Sequence, residues 1–118
     1  MVVDDNEQVC SLIANILRDG GYQVVEAHDG VEALKMLPMQ PQPVLLVTDV
    51  VMPGLSGFEL ASHVIAACNI PVLFVSAHEQ TGTDIPGPLL LKPFTTQALL
   101  ELVARLLALA GPSAKQLV

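Results

Sequence analysis

Short apolar runs alternate along the chain with longer segments whose apolar residues recur at helical spacing. The runs that we interpret as strands cover residues 1–3, 22–27, 44–47, 71–76 and 89–91. The third run, VLLV, is too short for a helix and shows no polar alternation, which is typical of a parallel strand covered on both faces. The alternation predicts parallel βαβ units that form one sheet with helices on both sides.

Helical spacing and capping signals predict the helices between these strands. The first helix is predicted to bury one stripe and to end at Gly20 and Gly21; the stripe consists of Val9, Leu12, Ile13, Ile16 and Leu17. Two later helices are predicted to begin at pairs spaced as capping boxes, Asp29 with Glu32 and Ser56 with Glu59. Thr95 is predicted to cap a last helix that reaches Ala110.

The interval between the fourth and fifth strands lacks these signals. A parallel connection normally carries a helix, but residues 78–88, HEQTGTDIPGP, hold two prolines and two glycines and show no apolar periodicity. We therefore predict a shortened fourth helix or a loop in its place.

Composition and charge exclude several classes of protein. The 118 residues suffice for one domain, and Glu101 and Arg105 interrupt the most apolar segment before it reaches the roughly 18 residues of a membrane span. With no export signal in view, we expect a cytoplasmic protein without a membrane partner. The net charge of −7 argues against a nucleic-acid surface and favours a cation site. Cys10 and Cys68 are expected to be reduced thiols.

Acidic side chains stand where two predicted strands end. Asp4 and Asp5 follow the first strand and Asp49 follows the third, and neighbouring parallel strands bring such ends to one edge of the sheet. Two like charges about 4 Å apart cost on the order of 4 kcal/mol at a surface-like dielectric, so the cluster needs a cation or protons. A single Asp there is usually a helix cap, but the conjunction favours a Mg²⁺ site.

A hydroxyl and an ammonium group stand at two further strand ends. Ser76 closes the fourth strand and Lys92 follows the fifth. Each alone is ordinary, a turn residue or a solvated strand end. Beside a carboxylate cluster, however, they predict a pocket for a phosphoryl group, in which Asp49 can act as the nucleophile and form an aspartyl phosphate.

The motifs occur in a characteristic order along nearly the whole chain. They are Asp4-Asp5, D-x-x-M-P-G from Asp49 to Gly54, the Ser76-Ala77 step and K-P-F from Lys92 to Phe94. In this order they resemble the response-regulator receiver domains of two-component signalling, the chemotaxis-regulator-like phosphoacceptor domains. The resemblance implies an α/β, flavodoxin-like fold, a doubly wound five-stranded parallel sheet with the strand order 2-1-3-4-5.

For the metal, the resemblance implies Mg²⁺ bound directly by Asp5, by Asp49 and by the backbone carbonyl of Val51, with Asp4 acting through water. Asp49 is implied to accept a phosphoryl group from the phosphohistidine of a histidine kinase or a phosphotransfer protein. Such a domain promotes its own phosphorylation and dephosphorylation and is not otherwise an enzyme.

For the switch, the resemblance implies that the Ser76 hydroxyl moves toward the phosphoryl group and that Lys92 is its charged partner, with a cis Lys92-Pro93 bond. Leu89 departs from the family, since receivers commonly carry an aromatic residue there. Val51 and His78 occupy positions that in the family influence the lifetime of the phosphoryl group, although we interpret His78 as a solvated loop histidine. Val51 cannot hold a water molecule by hydrogen bonding, so no unusually fast hydrolysis is expected.

Other interpretations remain open at this point. The chain is either a stand-alone regulator or the receiver of a hybrid histidine kinase. Leu89 and the missing helix fit a degenerate receiver that acts as a phosphorylation-independent interaction module. A hydrolase of the haloacid dehalogenase type fits worse, because Val51 stands where that class has an acid. His28 and His63 have no partners at ligand spacing and are interpreted as ordinary surface or interface residues.

The last helix carries more apolar residues than one buried stripe requires. Its polar residues form a single thin line, Gln97, Glu101 and Arg105. The segment from Ala98 to Ala110 therefore predicts either unusually deep burial or an interface with a second copy or a neighbouring domain. We predict a receiver domain over residues 1–110 and a tail or linker over residues 111–118.

Overall fold

Five strands and four helices make up the part of the chain that the structure, a computed structural model, describes: residues 1–38, 42–78 and 85–110. In chain order they are β1 (Val2–Val3), α1 (Glu7–Asp19), β2 (Glu26–Ala27), α2 (Gly30–Met36), β3 (Leu46–Asp49), α3 (Gly57–Cys68), β4 (Val72–Ser76), β5 (Leu89–Leu91) and α4 (Thr96–Ala110). All strands pair in parallel, in the order β2-β1-β3-β4-β5. The predicted flavodoxin-like fold and strand order are confirmed.

The register of the central strands sets the level at which each strand ends. Val3 of β1 pairs with Thr48 of β3, so the residues that follow them, Asp4 and Asp49, lie level on neighbouring strands. Ser76 of β4 pairs with Leu91 of β5. The chemistry-bearing residues of four strands thus reach one edge of the sheet.

The sheet separates two apolar layers, because successive residues of a strand point to opposite faces. Leu46 and Phe74 face the layer covered by α2 and α3, where the Phe58 ring meets Phe74 edge-on with centroids 5.0 Å apart. Val47 and Leu73 face the layer covered by α1 and α4. Both faces are therefore covered, as the unbroken apolar strands predict.

The buried stripe of α1 differs from the predicted one. Leu12 is 55% exposed, whereas Cys10 and Ala14 are fully buried beside Ile13 and Leu17. The spacing pattern was ambiguous because Cys10 and Ala14 are small, and a stripe that includes them lets α1 lie close to the sheet. The prediction for Leu12 is wrong.

Two predicted strands differ from the structure by more than one residue in their bounds, β2 in length and β3 in position. β2 contains only Glu26–Ala27, because its neighbour β1 offers only Val2–Val3 for pairing. β3 begins at Leu46 rather than Val44 and runs on to Asp49.

The connection between β4 and β5 contains no helix among its described residues, 77–78 and 85–88. The rest of the predicted loop, residues 79–84, lies outside the described residues, as do residues 39–41 of the connection before β3 and the predicted tail, residues 111–118.

Helix α4 buries a narrow stripe and leaves apolar side chains outside it. Thr95 caps the helix as predicted, since its Oγ1 accepts the N–H of Ala98 at 3.0 Å. Leu99 and Val103 are fully buried, whereas Leu109 is 80% exposed. The deep-burial interpretation is therefore wrong for Leu109. Within the described residues, no helix combines the length and hydrophobicity that crossing a bilayer requires.

The start of α3 is packed directly on the end of β3. Ser56 and Glu59 form the predicted capping box, and the Gly57 N–H donates to the Val50 carbonyl at 2.8 Å. A Cβ atom at Gly57 would lie 2.0 Å from the carbonyl oxygen of Asp49. Gly57 therefore allows α3 to approach the strand end that carries Asp49.

We expect Gly57→Ala to lower the free energy of unfolding by roughly 1–3 kcal/mol, because a backbone oxygen cannot move aside as a flexible side chain can. At an ordinary helical position the same exchange stabilises by up to about 1 kcal/mol, so the sign is diagnostic. Denaturant unfolding measures the change, and Ser62→Ala on the exposed side of α3 is the control. A Gly57→Ala protein at least as stable as the wild type would contradict this packing.

Candidate functional site

Asp49 ends β3 with its carboxylate at the edge of the sheet. Its Oδ1 accepts the N–H of Val50 at 2.8 Å, and its backbone carbonyl accepts the hydroxyl of Thr48 at 2.9 Å. Thr48 is fully buried, so this hydrogen bond fixes the backbone where β3 ends and the following turn begins. One carboxylate oxygen is thus fixed by the backbone, while the side chain keeps part of its surface in solvent.

Asp4 and Asp5 reach the same edge from β1, as the sequence predicts. Asp4 is buried, and its Oδ1 accepts the N–H of Asn6 at 2.9 Å. Asn6 in turn caps α1 through its side chain, which fixes the turn between β1 and α1. Asp5 is exposed. Carboxylate oxygens of Asp4, Asp5 and Asp49 all lie within 4.8 Å of one another.

Lys92 brings the ammonium group to these carboxylates from β5. Its Nζ lies 3.3 Å from Oδ2 of Asp4 and 3.7 Å from Oδ2 of Asp49. The backbone N–H of Lys92 donates to the backbone carbonyl of Ser76 at 2.8 Å, which extends the β4–β5 pairing by one hydrogen bond. The Lys92-Pro93 peptide bond is cis. The backbone therefore directs Lys92 across the edge of β4 and β3 toward Asp4.

Ser76 ends β4 beside this group and is buried, with Oγ accepting the N–H of His78 at 3.1 Å. Val51, two residues after Asp49, is 69% exposed, and His78 is also exposed. Leu89 is partly buried against the layer that contains α2 and α3. The residue at the position of the family's aromatic switch therefore packs as part of the core.

The balance of charge at this edge is negative, with three carboxylates and one ammonium group. Burial, and next the charge of Asp4, raise the pKa of Asp49, with a smaller contribution from Asp5. Lys92 and the Val50 N–H act in the opposite direction without cancelling these effects. Oxygen donors, a negative balance and partial exposure are the properties of a Mg²⁺ site, so the residues present fit this ion.

The sequence did not reveal every residue near this edge. Asn6 orients Asp4, and its only signal is its place as a helix-capping residue directly after Asp4-Asp5. His28 also differs from its interpretation as a partnerless surface residue, since it lies beside Cys10 and Glu26. Glu26 and His28 are two residues apart in sequence, but Cys10 comes from α1, so sequence spacing carries no sign of its proximity to them.

Comparison with known families gives one match over most of the chain. Residues 1–104 match the family model described as the response regulator receiver domain. A curated relative, the response regulator MprA of Mycobacterium ulcerans, is 38% identical over 116 residues, which cover 92% of this chain and 48% of the relative. The chain spans about half the length of the first curated relatives it matches.

Solved structures give the same fold. The response regulator TrrA of Thermotoga maritima, in complex with Mg²⁺ and BeF, superposes with a TM-score of 0.79 at 28% identity and covers 89% of this chain and 95% of its own. The receiver domain of the hybrid histidine kinase CckA has a TM-score of 0.77 at 35% identity, with 90% and 95% covered.

The raised pKa of Asp49 predicts a pH-dependent cost to stability. Between the ordinary value of 3.8 and the higher pKa of the folded state, the folded protein keeps a proton that the unfolded chain has lost. The free energy of unfolding therefore falls as pH rises through this range. In Mg²⁺-free buffer, we expect Asp49→Asn to melt at a higher temperature than the wild type at neutral pH, with the gain shrinking as pH falls toward 3.8.

Thermal melting of both proteins in chelator across this pH range measures the difference. Glu101→Gln, on the exposed face of α4 and away from the helix ends, also removes one negative charge and should show no such gain. An Asp49→Asn protein that is less stable than the wild type at neutral pH would show that the ionised Asp49 carboxylate stabilises the folded state, which contradicts this prediction.

Proposed function

Because this chain belongs to the response regulator receiver domain family of two-component systems, we propose that Asp49 is its phosphoacceptor. The phosphoryl donor is the phosphohistidine of a histidine kinase or a phosphotransfer protein. The observation that supports the proposal best is the meeting of three carboxylates and Lys92 at one edge, with Asp49 partly exposed.

In the proposed transfer, an oxygen of Asp49 attacks phosphorus, the N–P bond of the donor breaks, and the imidazole leaves with the bonding electrons. Oδ1 already accepts the N–H of Val50, so Oδ2, on the side of Lys92, is the oxygen that forms the new bond. Lys92 lies close enough to neutralise a phosphoryl oxygen there, since its ammonium group is already 3.7 Å from Oδ2.

Asp5, Asp49 and the backbone carbonyl of Val51 are proposed as the direct Mg²⁺ ligands, with Asp4 acting through water. Bound Mg²⁺ would offset the charge of the acidic residues and of the incoming phosphoryl oxygens. The burial of Asp4 and its two contacts, to Lys92 and to the Asn6 N–H, support its indirect role, because both oxygens are already engaged.

Transmission of the signal is proposed to begin at Ser76 and Lys92, which are joined through the backbone bond between β4 and β5. An aromatic switch is not part of this proposal, since Leu89 packs in the core. The output is a changed protein interaction, for which the exposed apolar part of α4 around Leu109 is the candidate surface. A second copy or a neighbouring domain is the proposed partner there.

The lifetime of the phosphoryl group is proposed to be ordinary for the family. Val51 is exposed and apolar, so its side chain cannot hold a water molecule by hydrogen bonding for attack on phosphorus. The receiver is proposed to extend over residues 1–110, either as a stand-alone regulator or as part of a hybrid histidine kinase.

Incubation with acetyl phosphate and Mg²⁺ tests the phosphoacceptor role without a known kinase. Intact-mass measurement should show a gain of one phosphoryl group that depends on Mg²⁺ and disappears in Asp49→Asn, because the amide cannot act as the nucleophile. Asp19→Asn preserves the acidic pocket while changing the net charge equally, so it should be phosphorylated like the wild type.

Two outcomes would contradict this proposal. A folded wild-type protein that gains no mass would fit a phosphorylation-independent interaction module. Continuous release of phosphate from acetyl phosphate, much faster than the phosphorylated protein loses its phosphoryl group, would fit a hydrolase.

A further inference from the structure

A second group of possible metal ligands lies one strand away from the acidic pocket. It consists of Cys10 on α1, Glu26 on β2 and His28 directly after β2, and one ligand atom of each lies within 4.8 Å of the other two. The group forms because α1 packs over β1 and β2, which places Cys10 above the end of β2. We name these three residues the Cys10 cluster.

The donor types of the Cys10 cluster differ from those of the acidic pocket. A thiol, an imidazole and a carboxylate together favour borderline or soft divalent cations such as Zn²⁺, whereas Mg²⁺ prefers oxygen ligands alone. Three protein ligands with a fourth position left to water is a common Zn²⁺ arrangement. The two sites would therefore select different ions.

The depth of the three side chains suits a cation that enters from solvent. Cys10 is fully buried, and its Sγ lies 3.6 Å from the carbonyl oxygens of Val2 and Ala27. The side chains of Glu26 and His28 are 22% and 39% exposed. A cation that enters from solvent would therefore meet Glu26 and His28 near the surface and bind the buried sulfur of Cys10 beneath them.

Neighbouring side chains lie close to the two outer ligands. Oε1 of Glu32 lies 3.9 Å from Nδ1 of His28, which is longer than a hydrogen bond, so a small movement of the carboxylate would let it orient the imidazole as carboxylates commonly orient metal-binding histidines. Arg18 Nη1 contacts Oε2 of Glu26 at 3.0 Å, while Oε1 accepts a longer hydrogen bond of 3.3 Å from the Ser11 hydroxyl, and the Glu26 carboxylate also interacts with the Cys10 thiol. Oε1 can therefore be released to a metal while Arg18 keeps the side chain positioned.

We propose that Cys10, Glu26 and His28 form a binding site for a zinc-class divalent cation, separate from the Mg²⁺ pocket around Asp49. The site goes beyond phosphoryl transfer, and it requires neither Asp49 nor phosphorylation.

Binding of a cation to the Cys10 cluster requires loss of the thiol proton, which lowers the expected affinity. Burial, and next the charge of Glu26, raise the pKa of the Cys10 thiol to about 12, so the thiol keeps its proton in the absence of a cation. A bound cation replaces that proton, which is released to solvent. The expected affinity is therefore lower than that of sites built from several exposed cysteines.

Titration of the folded protein with Co²⁺ tests the proposal, because a cobalt–thiolate bond produces a charge-transfer absorption that carboxylate and imidazole ligands do not. The wild type should develop this absorption with a stoichiometry of one, and Zn²⁺ should displace it. Cys10→Ser should abolish it, and His28→Asn should weaken Co²⁺ binding by about tenfold or more, the scale of losing even an orienting partner.

Three controls separate this site from others. Cys68→Ser removes the other cysteine of the chain and should keep the absorption. His63→Asn, on the exposed side of α3, should give the same thiolate absorption as the wild type, and the absorption should also persist in Asp49→Asn, which removes a ligand of the separate Mg²⁺ pocket. Circular dichroism of each variant verifies folding, and His28→Asn keeps the test decisive if Cys10→Ser fails to fold.

The proposal is overturned if the wild type shows no thiolate absorption up to millimolar Co²⁺, or if the absorption survives in Cys10→Ser. It is also overturned if His28→Asn binds Co²⁺ as tightly as His63→Asn. The phosphorylation assay is independent of these readouts, so failure of one proposal leaves the other standing.

Discussion

Repulsion among the carboxylates of Asp4, Asp5 and Asp49 is the interaction on which the rest of the structure depends. Their oxygens lie within 4.8 Å of one another, and Lys92 alone among the described cations contacts Asp4 and Asp49 there. At such distances like charges oppose folding, and after burial, which is the largest cause, the charges of Asp4 and Asp5 contribute to the raised pKa of Asp49. The same unfavourable arrangement favours uptake of a cation, which would offset the excess negative charge of the pocket and that of an incoming phosphoryl group.

The fold holds this arrangement together from outside the pocket. Both faces of the sheet are covered, so the strand ends cannot move apart without exposing apolar layers. Gly57 lets α3 pack on the carbonyl of Asp49, and the hydroxyl of Thr48 fixes the same peptide group. The pairing of Ser76 with the N–H of Lys92 couples the ammonium group to β4. The stability gained by burying the two apolar layers thus compensates for the repulsion among the carboxylates at the edge of the sheet.

Much of this was predictable from sequence, for physical reasons that also mark the limits. Short unbroken apolar runs and capping pairs such as Ser56 with Glu59 reflect local constraints, so strand number, helix number and strand-end chemistry follow from them. The buried stripe of α1 does not, because Cys10 and Leu12 differ in burial for reasons of close packing on the sheet. The proximity of Cys10 to His28 depends on how α1 crosses β2, which no local pattern encodes.

Titration of the protein with Mg²⁺, followed residue by residue by NMR, tests the central claim most directly. If the three carboxylates form one cation site, the amide signals of residues 4–6, 49–52 and 92 should shift together and saturate with a single dissociation constant, while the C-terminal half of α3 and the exposed part of α4 stay unchanged. Shifts scattered over the acidic surface without saturation, or shifts confined to Asp5 while Asp49 stays unaffected, would contradict the claim that these residues act as one site.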